Sequence, residues 1–403
     1  MILEEKPAAT RWPAVFAALF AGVVGACAFG KASPALPLLK SEFGLSLIEA
    51  GWLVSAFNAL AAGGAIVFGV FADRVGALRF CVSGTVAIGA GSVLGAAASG
   101  AGGLIASRLL EGLGFLAVVV SAPGLIAAAT APARMGIAFG LWSAYMPLGV
   151  SLIVAASPPL LERFGWRGAW LLVALAAGAC ALLLVSERRH YSGATRGARR
   201  SLASLGASLS QPVPWLLGVA FAMYAIQHTT LMVWLPTYLL ETRGIGGAAA
   251  ALLTAAAVFV NCFGNVLGGW LIQRDIPRGR IIAATFVVTS LAFVGIFAAG
   301  LPDPARYALA VFYSLIAGTV PAAALSAGIR YARSPAEVGA IQGLIVNVTH
   351  LGIFVAPPLV AASVTWGGSW DAVLWVMLAC AAVGLAAAGG VARYERPGPA
   401  RIP

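Results

Sequence analysis

The chain has 403 residues, of which 61% are hydrophobic and 10% charged, with a formal net charge of +11. Soluble domains carry roughly 25% charged residues, so water cannot be the only solvent of this surface and lipid is implied. Nucleic-acid binding would need the basic residues gathered on one solvated face; here they lie between apolar runs, which argues against that class.

The stretch Met1 to Lys6 has no basic run leading into an early apolar core, so the first apolar segment is expected to be a permanent span rather than a cleaved signal. A bilayer-crossing helix needs about 20 mostly apolar residues. Segments 12–38, 47–71, 79–99, 102–127, 135–160, 168–186, 213–239, 247–272, 281–300, 306–329, 338–363 and 372–392 meet this condition. The expected fold class is an all-α integral membrane protein with twelve transmembrane helices. Two separations, at Gly100–Gly103 and Leu301–Pro304, rest on glycine and proline rather than on charge.

Orientation follows from the basic residues. With an even number of spans and both termini on one side, the opposite side holds only Lys40, Arg163, Arg167, Arg243 and Arg306. Lys31 and Arg108 lie within spans, and every other lysine and arginine falls on the side of the termini. The positive-inside rule makes that side cytoplasmic. The expected location is a bacterial-type inner membrane, crossed many times.

The chain also repeats itself. Gly69-Val70-Phe71-Ala72-Asp73-Arg74 leads from the second span into a charged turn, and Gly269-Trp270-Leu271-Ile272-Gln273-Arg274 does the same half a chain later. Leu36-Pro37 pairs with Leu235-Pro236, and Pro158-Pro159 with Pro357-Pro358, the proline pairs being expected to end spans five and eleven. Phe164-Gly165-Trp166 and Gly368-Ser369-Trp370 each enter the last span of a half. These matches keep chain order, as duplicated halves do. Two pseudo-symmetric six-helix bundles are therefore expected, 1–186 and 213–403. The polar stretch 187–212, with Arg188-Arg189-His190 and Arg199-Arg200, reads as a cytoplasmic linker. It could alternatively bind lipid headgroups or a partner.

These features resemble the major facilitator superfamily of secondary transporters. Gly69, Asp73, Arg74, Gly76 and Arg79 match its G-x-x-x-D-R-x-G-x-x-R loop between spans two and three. Arg108-Leu109-Leu110-Glu111-Gly112-Leu113-Gly114 is similar to the family's R-x-x-Q-G-x-G in span four, with Glu111 where glutamine is usual. Tyr145-Met146-Pro147-Leu148-Gly149 and Gln342-Gly343-Leu344 more loosely resemble the cyanate-permease-like bacterial branch. The resemblance implies alternating access around a midplane cavity. It also implies a gate in which Asp73 faces the N-terminus of span eleven, where Ser334, Pro335 and Glu337 form a helix start. The gating set is then Gly69, Asp73, Arg74 and Glu337. Otherwise Asp73 and Arg74 only fix topology.

Lys31, Arg108 and Glu111 are charges within the membrane, each costing roughly 2.5–3.5 kcal/mol for a cation at mid-span. Spans one and four run in opposite directions, so Lys31 and Arg108 fall at comparable depth. Glu111 lies three residues after Arg108 on the same helical face. One positive charge is left over, which suits an anionic substrate: Arg108 could clasp a carboxylate with two parallel N–H bonds and Lys31 add a point charge. Glu111 could then take a proton. The alternatives are a purely structural cluster, or a Lys31 that snorkels to the headgroups.

In the second half, Tyr224, Gln227 and His228 share a face of span seven and could orient a polar ligand. A helix–helix hydrogen bond is the plainer reading. Tyr145 joins them as a substrate-binding candidate, with Asn261, Asn265, Asn347 and His350 behind it. Trp142 and Trp234 read more simply as packing or anchoring residues. Cys27, Cys81, Cys180, Cys262 and Cys380 lie in apolar segments without C-x-x-C spacing, so no disulfide framework or metal site is expected. No phosphate loop and no H-E-x-x-H occurs in the sequence, so neither ATP hydrolysis nor a zinc enzyme is expected.

The sequence thus predicts a non-enzymatic carrier without cofactor, taking up a small, organic or inorganic, anion with protons and acting as a monomer in the bilayer. A proton-coupled exporter of drugs or metabolites is the rival, and an anion exchanger the second. The exporters this chain could resemble usually carry G-P-x-x-G-G in span five and often an acid in span one. Here Met146-Pro147-Leu148-Gly149 and Lys31 stand instead.

Overall fold

Inside a bilayer every backbone N–H and C=O must be satisfied by the chain itself, which favours helices. The computed structural model describes residues 9–64, 75–195, 210–297, 300–326, 330–331 and 335–395, and no strand occurs among the described residues. Eleven helical stretches are long and apolar enough to cross a membrane. They are α1 (Trp12–Phe43), α2 (Leu47–Gly64), α3 (Ala77–Ala96), α4 (Ala101–Ala129), the run Tyr145–Ser186, α7 (Pro212–Arg243), α8 (Gly247–Gln273), α9 (Arg278–Phe297), α10 (Asp303–Leu325), α11 (Pro335–Gly367) and α12 (Trp370–Tyr394). The twelfth pass is contained in the 42-residue run, where Gly165 leaves helical geometry at φ 61°, ψ −171°. Its two limbs are α5 and α6.

The duplication seen in the sequence has a backbone counterpart. Gly44 and Gly244, at φ 63° and 62°, end α1 and α7. Gly165 and Gly368, at φ 61° and 72°, turn α5 into α6 and α11 into α12. A left-handed φ strains any residue with a Cβ, so glycine recurs where each half makes the same turn.

The proline pairs correct one expectation. Pro158-Pro159 and Pro357-Pro358 lie inside their helices, not at the ends. A proline removes one N–H, not the helix, provided another donor reaches the freed carbonyl four residues earlier. Ser157 Oγ donates to the Val154 carbonyl at 2.7 Å, four residues before Pro158, and so caps it locally.

The linker begins as more than a tether. Arg188–Thr195 forms a 3-10 helix, and the Tyr191 hydroxyl donates to the Ala14 carbonyl of α1 at 2.6 Å. The expected gating residues Gly69, Asp73 and Arg74 lie outside the described residues. Glu337 sits near the start of α11, and its side chain lies outside the description.

Close helix crossings position the interior. A Cβ on Gly112 of α4 would overlap the Phe57 carbonyl oxygen of α2. In the other half, a Cβ on Gly264 of α8 would overlap the Leu315 carbonyl oxygen of α10. Gly112→Ala must therefore push backbone apart and is expected to destabilise the protein by about 1–3 kcal/mol. Gly63→Ala, where a Cβ would meet nothing within 4 Å, should leave stability unchanged. Thermal unfolding in detergent compares the two; equal melting temperatures would contradict the crossing.

Candidate functional site

The three charges expected within the membrane converge. Glu111 Oε1 accepts from Lys31 Nζ at 2.5 Å, and Glu111 Oε2 accepts from Arg108 Nη1 at 2.5 Å. All three side chains are fully buried. Ser92 of α3 closes the ring: Lys31 Nζ donates to its hydroxyl at 2.8 Å, and that hydroxyl donates to Glu111 Oε1 at 2.7 Å. A neutral hydroxyl thus sits beside both a cation and the shared carboxylate.

Local sequence explains the approach. α1 is interrupted at Lys31, between Trp12–Gly30 and Ala32–Phe43. Arg108 Nη1 and Nη2 donate to the Ala28 and Phe29 carbonyls just before that interruption, at 2.6 and 3.3 Å. On α3, a Cβ at Gly91 would strike Glu111, and one at Gly95 would strike Trp170 and Ser107. The two glycines lie one turn apart and let α3 approach α4 closely enough for Ser92 to reach the carboxylate.

Aromatic rings cover the cations. Arg108 Cζ lies 4.6 Å from the Phe57 ring centroid, and Lys31 Nζ lies 4.7 Å from that of Trp170. Such contacts favour a desolvated cation through the ring quadrupole. Lys31 therefore does not snorkel. In this conformation the guanidinium fork expected to clasp a carboxylate is occupied by Glu111 and two backbone carbonyls. Its Nε is buried without a partner.

The rings continue away from the cluster. Phe57 meets Phe115 at 5.2 Å, Phe115 meets Tyr145 at 6.4 Å, and Tyr145 stacks on Trp142 at 4.4 Å. A Cβ on Gly22 of α1 would strike both Trp142 and Tyr145, so α1 packs against this pair. Beside Tyr145, the Ala144 carbonyl faces Cys262 Sγ of α8 at 4.0 Å, which brings the two halves together here.

Next to Cys262, Asn261 accepts from the Tyr224 hydroxyl at 3.2 Å and donates to the Ser314 carbonyl at 2.8 Å. Asn265 donates to the Asn261 side chain at 3.1 Å. His228 stacks on Tyr224, with centroids 5.4 Å apart and planes 12° off parallel. Both ring nitrogens of His228 are buried without a hydrogen-bond partner. Gln227 goes elsewhere: its Nε2 donates to the Met377 carbonyl of α12 at 2.9 Å, the plain helix–helix bond. Asn347 Nδ2 reaches the Ala61 and Ala62 carbonyls of α2 at 3.3 Å, and His350 Nδ1 lies 2.8 Å from the Val346 carbonyl of its own helix.

The model of the Major Facilitator Superfamily matches residues 18–357. The chain belongs to the major facilitator superfamily. Among superfamily relatives, it is 27% identical over 352 residues to the probable nitrate/nitrite transporter NarK2 of Mycobacterium tuberculosis, covering 85% of this chain and 86% of the relative. It is 24% identical over 280 residues to the probable sulfoacetate transporter SauU of Cupriavidus necator, covering 65% of each. Its fold superposes with a TM-score of 0.77, at 16% identity, on a bacterial homologue of the human lysosomal transporter Spinster in an inward-facing, occupied conformation. That match covers 95% of this chain and 96% of the other.

For a superfamily member the charge count within α1 and α4 yields a stability test. Breaking a buried ion pair by removing one partner typically costs about 3–5 kcal/mol. Glu111→Gln leaves two buried cations facing each other and is expected to cost that much. Lys31→Met removes the surplus cation and leaves Glu111 paired with Arg108, so no uncompensated charge is left buried and the cost should stay below about 2 kcal/mol. Unfolding in detergent at neutral pH ranks them, and the opposite ranking would contradict the cluster.

Proposed function

We propose that the chain is a secondary active carrier that takes up a small, organic or inorganic, anion together with protons by alternating access. The observation carrying this reading is the excess of one positive charge in the Lys31–Glu111–Arg108 cluster, enclosed within the membrane. The relatives named for nitrate/nitrite and sulfoacetate transport support an anionic substrate. The halves are 1–186 and 213–403, joined by the linker 187–212. The side of the termini is cytoplasmic, as the arginine bias requires.

Chemically, an arriving anion competes with Glu111 for Lys31 and Arg108. Released from one cation, the Glu111 carboxylate becomes the acceptor for a proton, so substrate and proton bind in the same event. Tyr145, Tyr224 and His228 line the approach between the halves, where the free His228 nitrogens offer one donor and one acceptor to a polar group. Gln227 supports α7 from behind. Gly69, Asp73, Arg74 and Glu337 serve in this reading as the gate of the cytoplasmic side, as the family's loop motif implies. Moving one anion inward against an inside-negative potential costs about 2.3 kcal/mol per 100 mV. One accompanying proton cancels that charge, and a second lets the potential drive uptake.

Uptake into proteoliposomes tests this. Nitrate, sulfoacetate and a short carboxylate are offered with and without an acidic exterior. At least one is expected to enter, faster with the proton gradient, and Lys31→Met should slow it at least about tenfold, the loss of roughly one charge-assisted contact. Gradient-independent uptake would make the protein an exchanger. Transport of cationic drugs with no anion would overturn the reading.

A further inference from the structure

The two halves meet at the Gly44/Gly244 end through a chemically specific seam. Ser33 Oγ of α1 lies 2.9 and 2.7 Å from the Met232 and Val233 carbonyls of α7, which share its one proton. Ser55 Oγ of α2 donates to the Phe354 carbonyl of α11 at 2.5 Å. Both serines are buried. Met232 precedes Pro236 by four residues, and Phe354 precedes Pro358 by four. Those are the carbonyls that a helix leaves without a donor when the residue one turn on is proline. Val233 differs, since the Thr237 N–H can still reach it.

In the first half, the Val154 carbonyl freed by Pro158 is capped within its own helix by Ser157. In the second half, the Met232 and Phe354 carbonyls take their donor from the opposite bundle. α2 comes close enough because residue 51 is glycine: a Cβ there would strike the Pro357 carbonyl and Pro358 Cα. At the rim of the same seam, Lys40 Nζ lies 3.2 Å from Glu241 Oε1, again across the halves.

We infer that Ser33 and Ser55 are positioning residues that set the balance between joined and separated halves at this end, by supplying the donors that Pro236 and Pro358 withhold. The inference rests on the carrier reading for its purpose but not for its geometry. In the joined state each freed carbonyl has a hydroxyl. Separation breaks that bond and exposes the carbonyl to water, which satisfies it again. The exchange is near balance, as a reversible seam requires. Removing a hydroxyl penalises only the joined state, where the carbonyl is buried with no donor.

The test uses spin labels at Ser41→Cys and Thr242→Cys, two exposed positions flanking Lys40 and Glu241. Pulsed electron resonance on the full chain in lipid nanodiscs gives the ratio of separated to joined populations. Ser55→Ala is expected to raise that ratio about fivefold, the effect of one interhelical hydrogen bond, and Ser33→Ala should move it the same way. Ser55→Thr keeps the hydroxyl and should restore the ratio. In a Pro358→Ala background the restored N–H serves Phe354 within the helix, so Ser55→Ala should then change the ratio less than about twofold. If Pro358→Ala does not fold, Ser33→Ala in a Pro236→Ala background makes the same comparison. An unchanged ratio in Ser55→Ala, or an equal shift with and without the proline, would overturn the inference. Population shifts as expected with no anion uptake would uphold the seam and count against the carrier reading alone.

Discussion

Glu111 extends its two oxygens to two different cations, Lys31 from α1 and Arg108 from its own helix, and the first bundle is arranged to make that possible. Taking three charges out of water costs several kcal/mol per ion unless geometry and further hydrogen bonds compensate. The compensation is visible. Ser92 adds a hydroxyl, the Ala28 and Phe29 carbonyls absorb guanidinium N–H groups, and Phe57 and Trp170 cover the cations. Gly91 and Gly95 are small because the carboxylate and Trp170 need their space. The cluster therefore fixes how α1, α3 and α4 stand relative to one another, and leaves one positive charge that nothing within the cluster neutralises.

From Phe57, which covers Arg108, rings run through Phe115 and Tyr145 to Trp142. The second half answers with neutral groups, Tyr224, His228, Asn261 and Asn265. The halves are thus unequal chemically although their backbones repeat. The same inequality marks the seam, where freed carbonyls of one half take hydroxyls from the other.

Much of this was legible in the sequence, for physical reasons. Apolar runs of bilayer length reveal spans, and the repeated entries at Gly165 and Gly368 prove to be left-handed turns, whereas Gly44 and Gly244 gained meaning only from the backbone. Lys31, Arg108 and Glu111 stand out because charge in lipid is costly, and opposite span directions place the two cations level. Periodicity places Gln227 on the face of Tyr224 and His228, and only the fold reveals that its Nε2 is bonded to the Met377 carbonyl of α12. Pro158 and Pro358 misled: proline reads as a terminator in water, whereas a neighbouring serine can repair the lost bond in a packed bundle. Ser33, Ser55 and Ser92 carried no signal, since serine is common in apolar spans and only the fold reveals which carbonyl or carboxylate each one meets. The glycines Gly84, Gly91 and Gly95 were the available hint of close approach on α3.

The cluster requires an ionised Glu111 shared by two cations within the membrane. Difference infrared spectroscopy of wild type against Glu111→Gln reads this directly, because an ionised carboxylate and a protonated carboxyl absorb in separate regions. The substitution is expected to remove an ionised-carboxylate band from the ligand-free protein at neutral pH. Loss of a protonated-carboxyl band instead would mean that Glu111 is neutral at rest, and the shared ion pair would be wrong.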